Sequence, residues 1–293
     1  MNVEIAKSAG FCWGVRRAVE IAHKTAEKYG TRVYTDGPLI HNRAMMKKLE
    51  ESGVSVCENP AELPENSVLI IRAHGIPPMR QMFLESLPIQ LVDATCLDVR
   101  RIHDVISKYA GMGYFCIILG DKEHAEVIGL MGYAKAGAAV VSSAAEVATV
   151  DNEGKPVCFV AQSTQAQTLF DEVANAVKSK FGDAVTVMIE NTICRATRAR
   201  QGELETLSVG SDAFVVVGSP ESANTQRLAL MAAALLPTFV VDSPEQLNVT
   251  ELKKFKNIAV TAGASTPDFI IKAVEVIIPF GLSFKYFVAL TNV

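Results

Sequence analysis

The sequence predicts an α/β protein built from three related parallel sheets, each flanked by helices. Short apolar strands alternate with helical segments along the chain of 293 residues, which is typical of parallel sheets because each crossover needs a dozen or more residues. Cys12, Cys96 and Cys194 lie 84 and 98 residues apart and divide the chain into near-equal thirds. Because a similar stretch follows each cysteine, we expect three equivalent small domains whose thiols meet on a pseudo-threefold axis.

Three further features recur at matching distances from the cysteines. An arginine lies four residues after each, at Arg16, Arg100 and Arg198. A glycine ends each following helical pattern, at Gly30, Gly113 and Gly210, and a short apolar strand then stops at Gly37, Gly120 and Gly218. The repeat places the predicted domains at residues 1–95, 96–193 and 194–283, with a tail at 284–293 that carries no motif.

The individual elements follow from hydrophobic period and from glycine and proline positions. In the first third we predict helices at 15–29 and 43–52 and strands at 32–35, 54–57, 67–71 and 89–93. In the second we predict helices at 99–109, 126–134 and 168–181 and strands at 114–119, 139–141, 157–161 and 185–190. In the last we predict helices at 198–207, 225–236 and 267–277 and strands at 213–217, 238–241 and 258–262.

Composition excludes several classes of function. A net charge of −4 without a basic run argues against nucleic-acid binding. The longest apolar stretch, 228–241, is short for a membrane span and is broken by Pro237. The first ten residues lack the apolar core of a signal peptide. We therefore expect a cytoplasmic protein whose thiols stay reduced.

The six cysteines fall into two groups. Cys57, Cys116 and Cys158 lie inside apolar strands and are expected to act as small hydrophobic residues. The other three lie at strand-to-helix junctions, where the helix dipole stabilises a thiolate. Three such thiols suit either a zinc ion with water in its fourth position or a 4Fe–4S cluster with one open iron. The residues alone do not choose between these metals.

Polar side chains gather where the strands end, which is where parallel sheets bind ligands. They are neutral or cationic hydrogen-bond donors: His41, Asn42, His74, His124, Ser222, Asn224, Thr225, Ser265 and Thr266. Together with glycines and helix N-termini, this set suits a phosphate or diphosphate. Glu126 is the carboxylate within these loops, and as a proton donor it would need shielding from water.

The same residues carry a resemblance to the 4-hydroxy-3-methylbut-2-enyl diphosphate reductase family of the non-mevalonate isoprenoid pathway. The matching segments are Ala9-Gly10-Phe11-Cys12, Leu39-Ile40-His41-Asn42, Ala73-His74-Gly75, Asp93-Ala94-Thr95-Cys96, His124-x-Glu126-Val127-x-Gly129, Thr192-Ile193-Cys194, Ser222-x-Asn224 and Gly263-Ala264-Ser265-x-Pro267. They run in order through almost the whole chain, so the resemblance is specific.

The resemblance implies an iron–sulfur oxidoreductase with three α/β domains around a central cavity. Cys12, Cys96 and Cys194 would ligate one 4Fe–4S cluster whose open iron takes the allylic hydroxyl of the substrate. The diphosphate would be held by His41, His74, His124, Ser222, Asn224 and Ser265. Two electrons and two protons would remove the hydroxyl as water and yield isopentenyl or dimethylallyl diphosphate. The electron donor implied is a small ferredoxin or flavodoxin.

The resemblance also implies a proton relay. Glu126 would supply protons, aided by His124 and by a hydroxyl of Ser163 or Thr164. Where the family commonly has Gln-Thr-Thr, this chain has Gln162-Ser163-Thr164, and serine keeps the hydroxyl.

Two alternative functions are a different enzyme on this scaffold, such as a cluster dehydratase or a zinc hydrolase, and a non-catalytic phosphometabolite sensor.

Overall fold

A computed structural model of the chain describes residues 1–280, so the predicted tail at 284–293 and residues 281–283 of the predicted third domain lie outside the described residues. The strands β1 to β12 are, in order, Asn2–Ile5, Val33–Asp36, Val54–Cys57, Val68–Ile71, Gln90–Asp93, Phe115–Leu119, Ala138–Val141, Val157–Ala161, Val187–Ile189, Ala213–Val217, Thr238–Val241 and Asn257–Ala262. The helices α1 to α11 are Trp13–Tyr29, Arg43–Glu51, Pro78–Glu85, Leu97–Gly111, Ala125–Met131, Ala144–Val147, Gln167–Phe181, Arg195–Ser208, Ala223–Ala233, Val249–Leu252 and Asp268–Phe280.

The strands form three four-stranded sheets. Their strand orders are β3-β2-β4-β5, β7-β6-β8-β9 and β1-β12-β10-β11. All neighbouring strands are parallel. The predicted α/β class, with three small parallel sheets flanked by helices, is therefore confirmed.

The N-terminal strand lies in a different sheet from the rest of the first third. β1 pairs with β12, from Asn2 opposite Asn257 to Ile5 opposite Val260. Val3 and Ile5 pack against the core of that sheet, so burial of their side chains favours this position over the sheet of β2 to β5. The predicted first domain of 1–95 thus differs from the observed pairing at its start, while the boundaries at 95/96 and 193/194 stay predictions.

Helix α3 was absent from the sequence prediction. It begins at Pro78, directly after Pro77. Two prolines in sequence indicate a loop, but proline is favoured in the first helical turn because its missing N–H has no partner there in any case. The helix directly follows the loop that carries His74, so this loop ends where the helix begins.

Central strands are covered on both faces. Every residue of β6, β8 and β10 is buried. One core cluster packs on each face of β6 and β8, with Phe159 on one side and Ile118 on the other. Burying each such side chain contributes about 1.5–3 kcal/mol. These rigid cores hold the strand ends that carry the polar loops.

Contacts divide the chain into two compact units. The first comprises residues 1–15, 41–45 and those described from 195 onward, and it contains the sheet of β1, β10, β11 and β12. The second comprises residues 16–40 and 46–194 and contains the other two sheets. The expected arrangement of three domains around a central cavity stays a prediction. Within residues 1–280, no helix combines the length and the apolar character needed to span a membrane.

Candidate functional site

Cys12, Cys96 and Cys194 each directly precede a helix. They come before α1, α4 and α8, all three are partly exposed, and none of them forms a disulfide with another described cysteine. Cys57, Cys116 and Cys158 are instead buried within strands, as the sequence predicts. The positive end of a helix dipole stabilises a thiolate, so the three junction cysteines are the chain's candidates for metal binding.

The same backbone hydrogen bond holds all three cysteines. The N–H of Cys12 donates to the carbonyl of Ala264, that of Cys96 to Ala73 and that of Cys194 to Ser163, each at 3.0 Å. Each acceptor lies two residues after the end of a central strand, namely β12, β4 and β8 respectively. This recurrence supports the threefold repeat inferred from cysteine spacing.

The loop before Cys12 is fixed by side chains of α8 that the sequence analysis did not assign. Arg200 donates to the carbonyl of Gly10 at 2.5 Å. The carboxylate of Glu203 accepts the backbone N–H of Lys7 at 2.6 Å and that of Ser8 at 2.9 Å. Burial opposes ionisation of Glu203, but these donors outweigh it and lower the pKa of its carboxyl. No local pattern identifies Glu203, since its partners lie almost 200 residues away.

Glu126 lies in the first turn of α5 and is 2% exposed. Its carboxylate accepts two hydrogen bonds from one residue: the N–H of Ser163 at 2.6 Å and the Ser163 hydroxyl at 2.7 Å. Ser163 is buried as well, and its carbonyl is the acceptor for Cys194. A single residue thus joins a shielded carboxylate to the loop of a candidate metal ligand. Thr164 follows it and is partly exposed.

His124 is the N-cap residue of α5. Its Nδ1 accepts the N–H of Glu126 at 3.1 Å, so the neutral ring carries its proton on Nε2. The rings of His74 and His124 meet edge to face with centroids 5.5 Å apart. The loop after β4 and the start of α5 thereby bring two of the predicted diphosphate ligands together.

The end of β10 carries a second polar group. Ser222 caps α9, where its hydroxyl accepts the N–H of Thr225 at 3.4 Å. Asn224 is 7% exposed. The Asn224 amide nitrogen and the Thr225 hydroxyl have no hydrogen-bond partner among residues 1–280. Buried polar groups are normally bonded, so these two indicate a place for a polar ligand.

Two glycines make room for the Thr225 side chain of this group. A Cβ at Gly218 would lie 2.6 Å from the Thr225 hydroxyl, and one at Gly263 would lie 2.1 Å from it. Both distances are shorter than any real contact. Close by in the same unit, Ser265 donates from its hydroxyl to the carbonyl of His41 at 3.0 Å, which joins two more predicted diphosphate ligands.

A family model described as LytB protein matches residues 3–278. The chain belongs to this family. The match includes all three junction cysteines and every polar loop described above.

Two relatives of this chain carry the same name. A 4-hydroxy-3-methylbut-2-enyl diphosphate reductase of Opitutus terrae is 44% identical over 286 residues, which cover 94% of this chain and 98% of the relative. The protein of the same name from Clostridioides difficile is 37% identical over 275 residues, covering 94% and 98%.

Two solved structures resemble the LytB chain closely. The E-1-hydroxy-2-methyl-but-2-enyl-4-diphosphate reductase of Plasmodium falciparum superposes with a TM-score of 0.89 at 28% identity, covering 96% of this chain and 90% of that one. A structure of (E)-4-hydroxy-3-methyl-but-2-enyl diphosphate reductase, titled as the terminal enzyme of the non-mevalonate pathway, gives a TM-score of 0.71 at 34% identity, covering 96% and 100%. The predicted family is confirmed.

Proposed function

We propose that this chain is a 4-hydroxy-3-methylbut-2-enyl diphosphate reductase. The reaction removes the allylic hydroxyl as water with two electrons and two protons, and it yields isopentenyl and dimethylallyl diphosphate. The observation that carries the proposal is the double hydrogen bond from Ser163 to Glu126, because it holds an acid in a shielded position beside the Cys194 loop. Family membership and the names of the relatives support the substrate.

Cys12, Cys96 and Cys194 would hold a 4Fe–4S cluster. Their chemistry fits this cofactor, because all three are thiols outside disulfides, lie at helix N-termini and share the same backbone anchor. The N–H of Val15 also donates to the sulfur of Cys12 at 3.4 Å, a contact that orients this side chain. When bound, the cluster would supply the electrons and one open iron position.

The diphosphate would be held by His41, His74, His124, Ser222, Asn224 and Ser265. The Asn224 amide nitrogen is buried without a partner among the described residues, and a phosphate oxygen would satisfy it. The proton on His124 Nε2 leaves that atom as a donor. Neutral donors of this kind bind a diphosphate without requiring a buried cation.

The proton path would begin at Glu126. The buried carboxylate would take up a proton. The Ser163 hydroxyl, 2.7 Å away, orients this carboxylate and would pass a proton on toward the substrate. His124 fixes the first turn of α5 through the N–H of Glu126. Thr164 offers a second hydroxyl beside this pair in sequence. Burial keeps bulk water away from the acid, so the proton would be delivered to the substrate alone.

The remaining expectations extend this proposal. A small ferredoxin or flavodoxin would deliver single electrons to the cluster. A cytoplasmic location would keep the thiols reduced.

The test is an anaerobic assay of reconstituted protein with reduced viologen and 4-hydroxy-3-methylbut-2-enyl diphosphate. We expect viologen oxidation and both five-carbon diphosphates. Cys96→Ser should lose turnover together with cluster iron and sulfide, while Cys57→Ser, altered in strand β3, should keep both. A fully loaded protein that leaves the substrate unchanged would contradict the reductase, and zinc without sulfide would favour a hydrolase.

A further inference from the structure

The loop that carries His74 follows an unusual backbone path. Gly75 has a φ of +71°, a conformation that favours glycine. Its N–H donates to the carbonyl of Arg72 at 3.1 Å. Two residues further on, the chain enters the proline pair that starts α3. The direction of the His74 side chain therefore depends on how firmly this short turn is held.

A buried imidazole packs directly against the turn. His103 lies on α4 and is 6% exposed. A Cβ built on Gly75 would lie 2.7 Å from Cε1 and 3.2 Å from Nε2 of the His103 ring. The ring therefore occupies the space next to Gly75 and leaves no room for a side chain at that position.

Tyr133 stacks on the ring of His103. The rings of His103 and Tyr133 are stacked with centroids 4.1 Å apart and planes inclined by 15°. The Tyr133 hydroxyl donates to the carbonyl of Ile76 at 3.3 Å. The imidazole thus contacts both the Gly75 turn and Tyr133, and the tyrosine also binds the residue after Gly75.

Helix α5 closes the turn from a second direction. A Cβ at Gly129 would lie 3.8 Å from the carbonyl oxygen of His74, and one at Gly132 would lie 2.6 Å from Pro77. The turn is therefore confined between α4, which begins after Cys96, and α5, which carries Glu126. These contacts connect the position of His74 to two other elements of the proposed site.

The imidazole acts in its neutral form. Burial lowers the pKa of His103 to about 4, against weaker opposing effects of Asp104 and Asp93. These two carboxylates, Arg100 and Tyr133 line the adjoining cavity of about 250 Å³. The Nε2 atom of His103 has no hydrogen-bond partner among residues 1–280. The contribution of the ring is therefore its shape and packing rather than charge.

We propose that His103 is a positioning residue for diphosphate binding, because its ring fixes the backbone of Gly75 and so holds His74 against His124. This role rests on the proposed function in one respect, the assignment of His74 as a diphosphate ligand. Removing the ring would join its volume to the adjoining cavity. The turn would then have space to relax, and His74 would lose its direction toward the ligand.

The test measures binding of inorganic diphosphate to the reconstituted protein by anaerobic calorimetry. His103→Ala should weaken binding about tenfold, as expected when a ligand-binding group is displaced by a fraction of an ångström. His103→Phe keeps a flat ring against Gly75 and should restore most of the affinity. Ile106→Ala, one turn further along α4 in the core against β6 and β8, destabilises the same helix and should leave binding unchanged.

A double-mutant cycle tests whether His103 affects diphosphate binding through His74. In a His74→Ala background, His103→Ala should weaken binding no further, since both changes remove the same contact. Hydrogen exchange at residues 73–76 should be faster in His103→Ala and unchanged in Ile106→Ala. In turnover, His103→Ala should raise KM for the diphosphate substrate much more than it lowers kcat.

The outcomes separate this proposal from the reductase itself. Wild-type affinity in His103→Ala, or additive effects in the cycle, would overturn the positioning role and leave the reductase intact. Equal loss of affinity in Ile106→Ala would overturn it too, by showing general loosening of α4. Coupling in diphosphate binding without turnover of the allylic diphosphate would overturn the reductase and leave the positioning role standing.

Discussion

The ends of β6 and β10 are equivalent in backbone but opposite in chemistry. Leu119 lies opposite Ala161, and Val217 lies opposite Ala262, at matching ends of paired central strands. Glu126 lies seven residues after the end of β6, and Asn224 lies seven residues after the end of β10. Both side chains are buried, yet the Glu126 carboxylate is hydrogen-bonded to Ser163, whereas the Asn224 amide nitrogen has no partner among residues 1–280.

One neighbouring position differs between the two copies. Two residues past β8 lies Ser163, whose N–H and hydroxyl both bind Glu126. Two residues past β12 lies Ala264, which has no hydroxyl to offer. The Asn224 amide nitrogen is left without a partner among the described residues. A repeated scaffold thus holds an acid at one copy and leaves a donor for a ligand at another.

Glu126→Gln tests the difference between the two copies most strongly, because it gives both of them an amide side chain. We expect kcat to fall about 10²–10³-fold, because general acid catalysis typically contributes this much. The protein should still bind inorganic diphosphate and keep its cluster iron. Glu172→Gln, an exposed position on α7, provides the matched control. Retention of full kcat in Glu126→Gln would exclude the acid role.

The reverse exchange is Asn224→Asp, which makes both copies acidic. A carboxylate there would repel a diphosphate and replace a donor with an acceptor, so KM should rise about 10–100-fold. Titration with inorganic diphosphate checks the effect apart from chemistry. An unchanged KM would remove Asn224 from the proposed ligand set.

A buried histidine in the second third should make the stability of the protein depend on pH. Seven residues after Cys96 lies buried His103, and seven after Cys194 lies buried Gln201, which does not titrate. Because burial lowers the pKa of His103 to about 4 in the folded state, the unfolded chain binds more protons between about pH 6.5 and 4. Stability should therefore fall as pH decreases through this window, by about 2 kcal/mol at pH 5.

Urea unfolding at pH 7.5 and pH 5 measures this loss, and hydrogen exchange locates it. His103→Phe should remove most of the difference between the two pH values, whereas Gln201→Glu, which adds a titrating group in the last third, should not. A loss of equal size in His103→Phe would assign the effect to other groups.

The smallest expected effect comes from the serine that distinguishes the two copies. Ser163→Ala removes the hydroxyl hydrogen bond from Ser163 to Glu126 but keeps the one from the backbone N–H, so kcat should fall about tenfold. Ser163→Thr keeps the hydroxyl and should stay near the wild-type rate. If alanine and threonine behave alike, the hydroxyl takes no part in the relay, and Thr164 becomes the residue to substitute.

Much of the fold could be predicted because its signals are local. Strand β3 was predicted at its observed limits, and the glycines at 37, 120 and 218 directly follow β2, β6 and β10. Helix α3 was missed because its two prolines resemble a loop, although proline suits a first helical turn. The candidate site was predicted by residue type through the family resemblance, but its internal contacts were not.

Three properties can be recognised from the sequence alone: the threefold repeat, the three junction cysteines and the family. These depend on residue type and spacing along the chain, which any reader of the sequence can measure. Three contacts became visible only in the folded chain: β1 pairs with β12, Ser163 binds Glu126, and His103 packs on Gly75. Such contacts join residues far apart in sequence, and they arise from packing that no local pattern records.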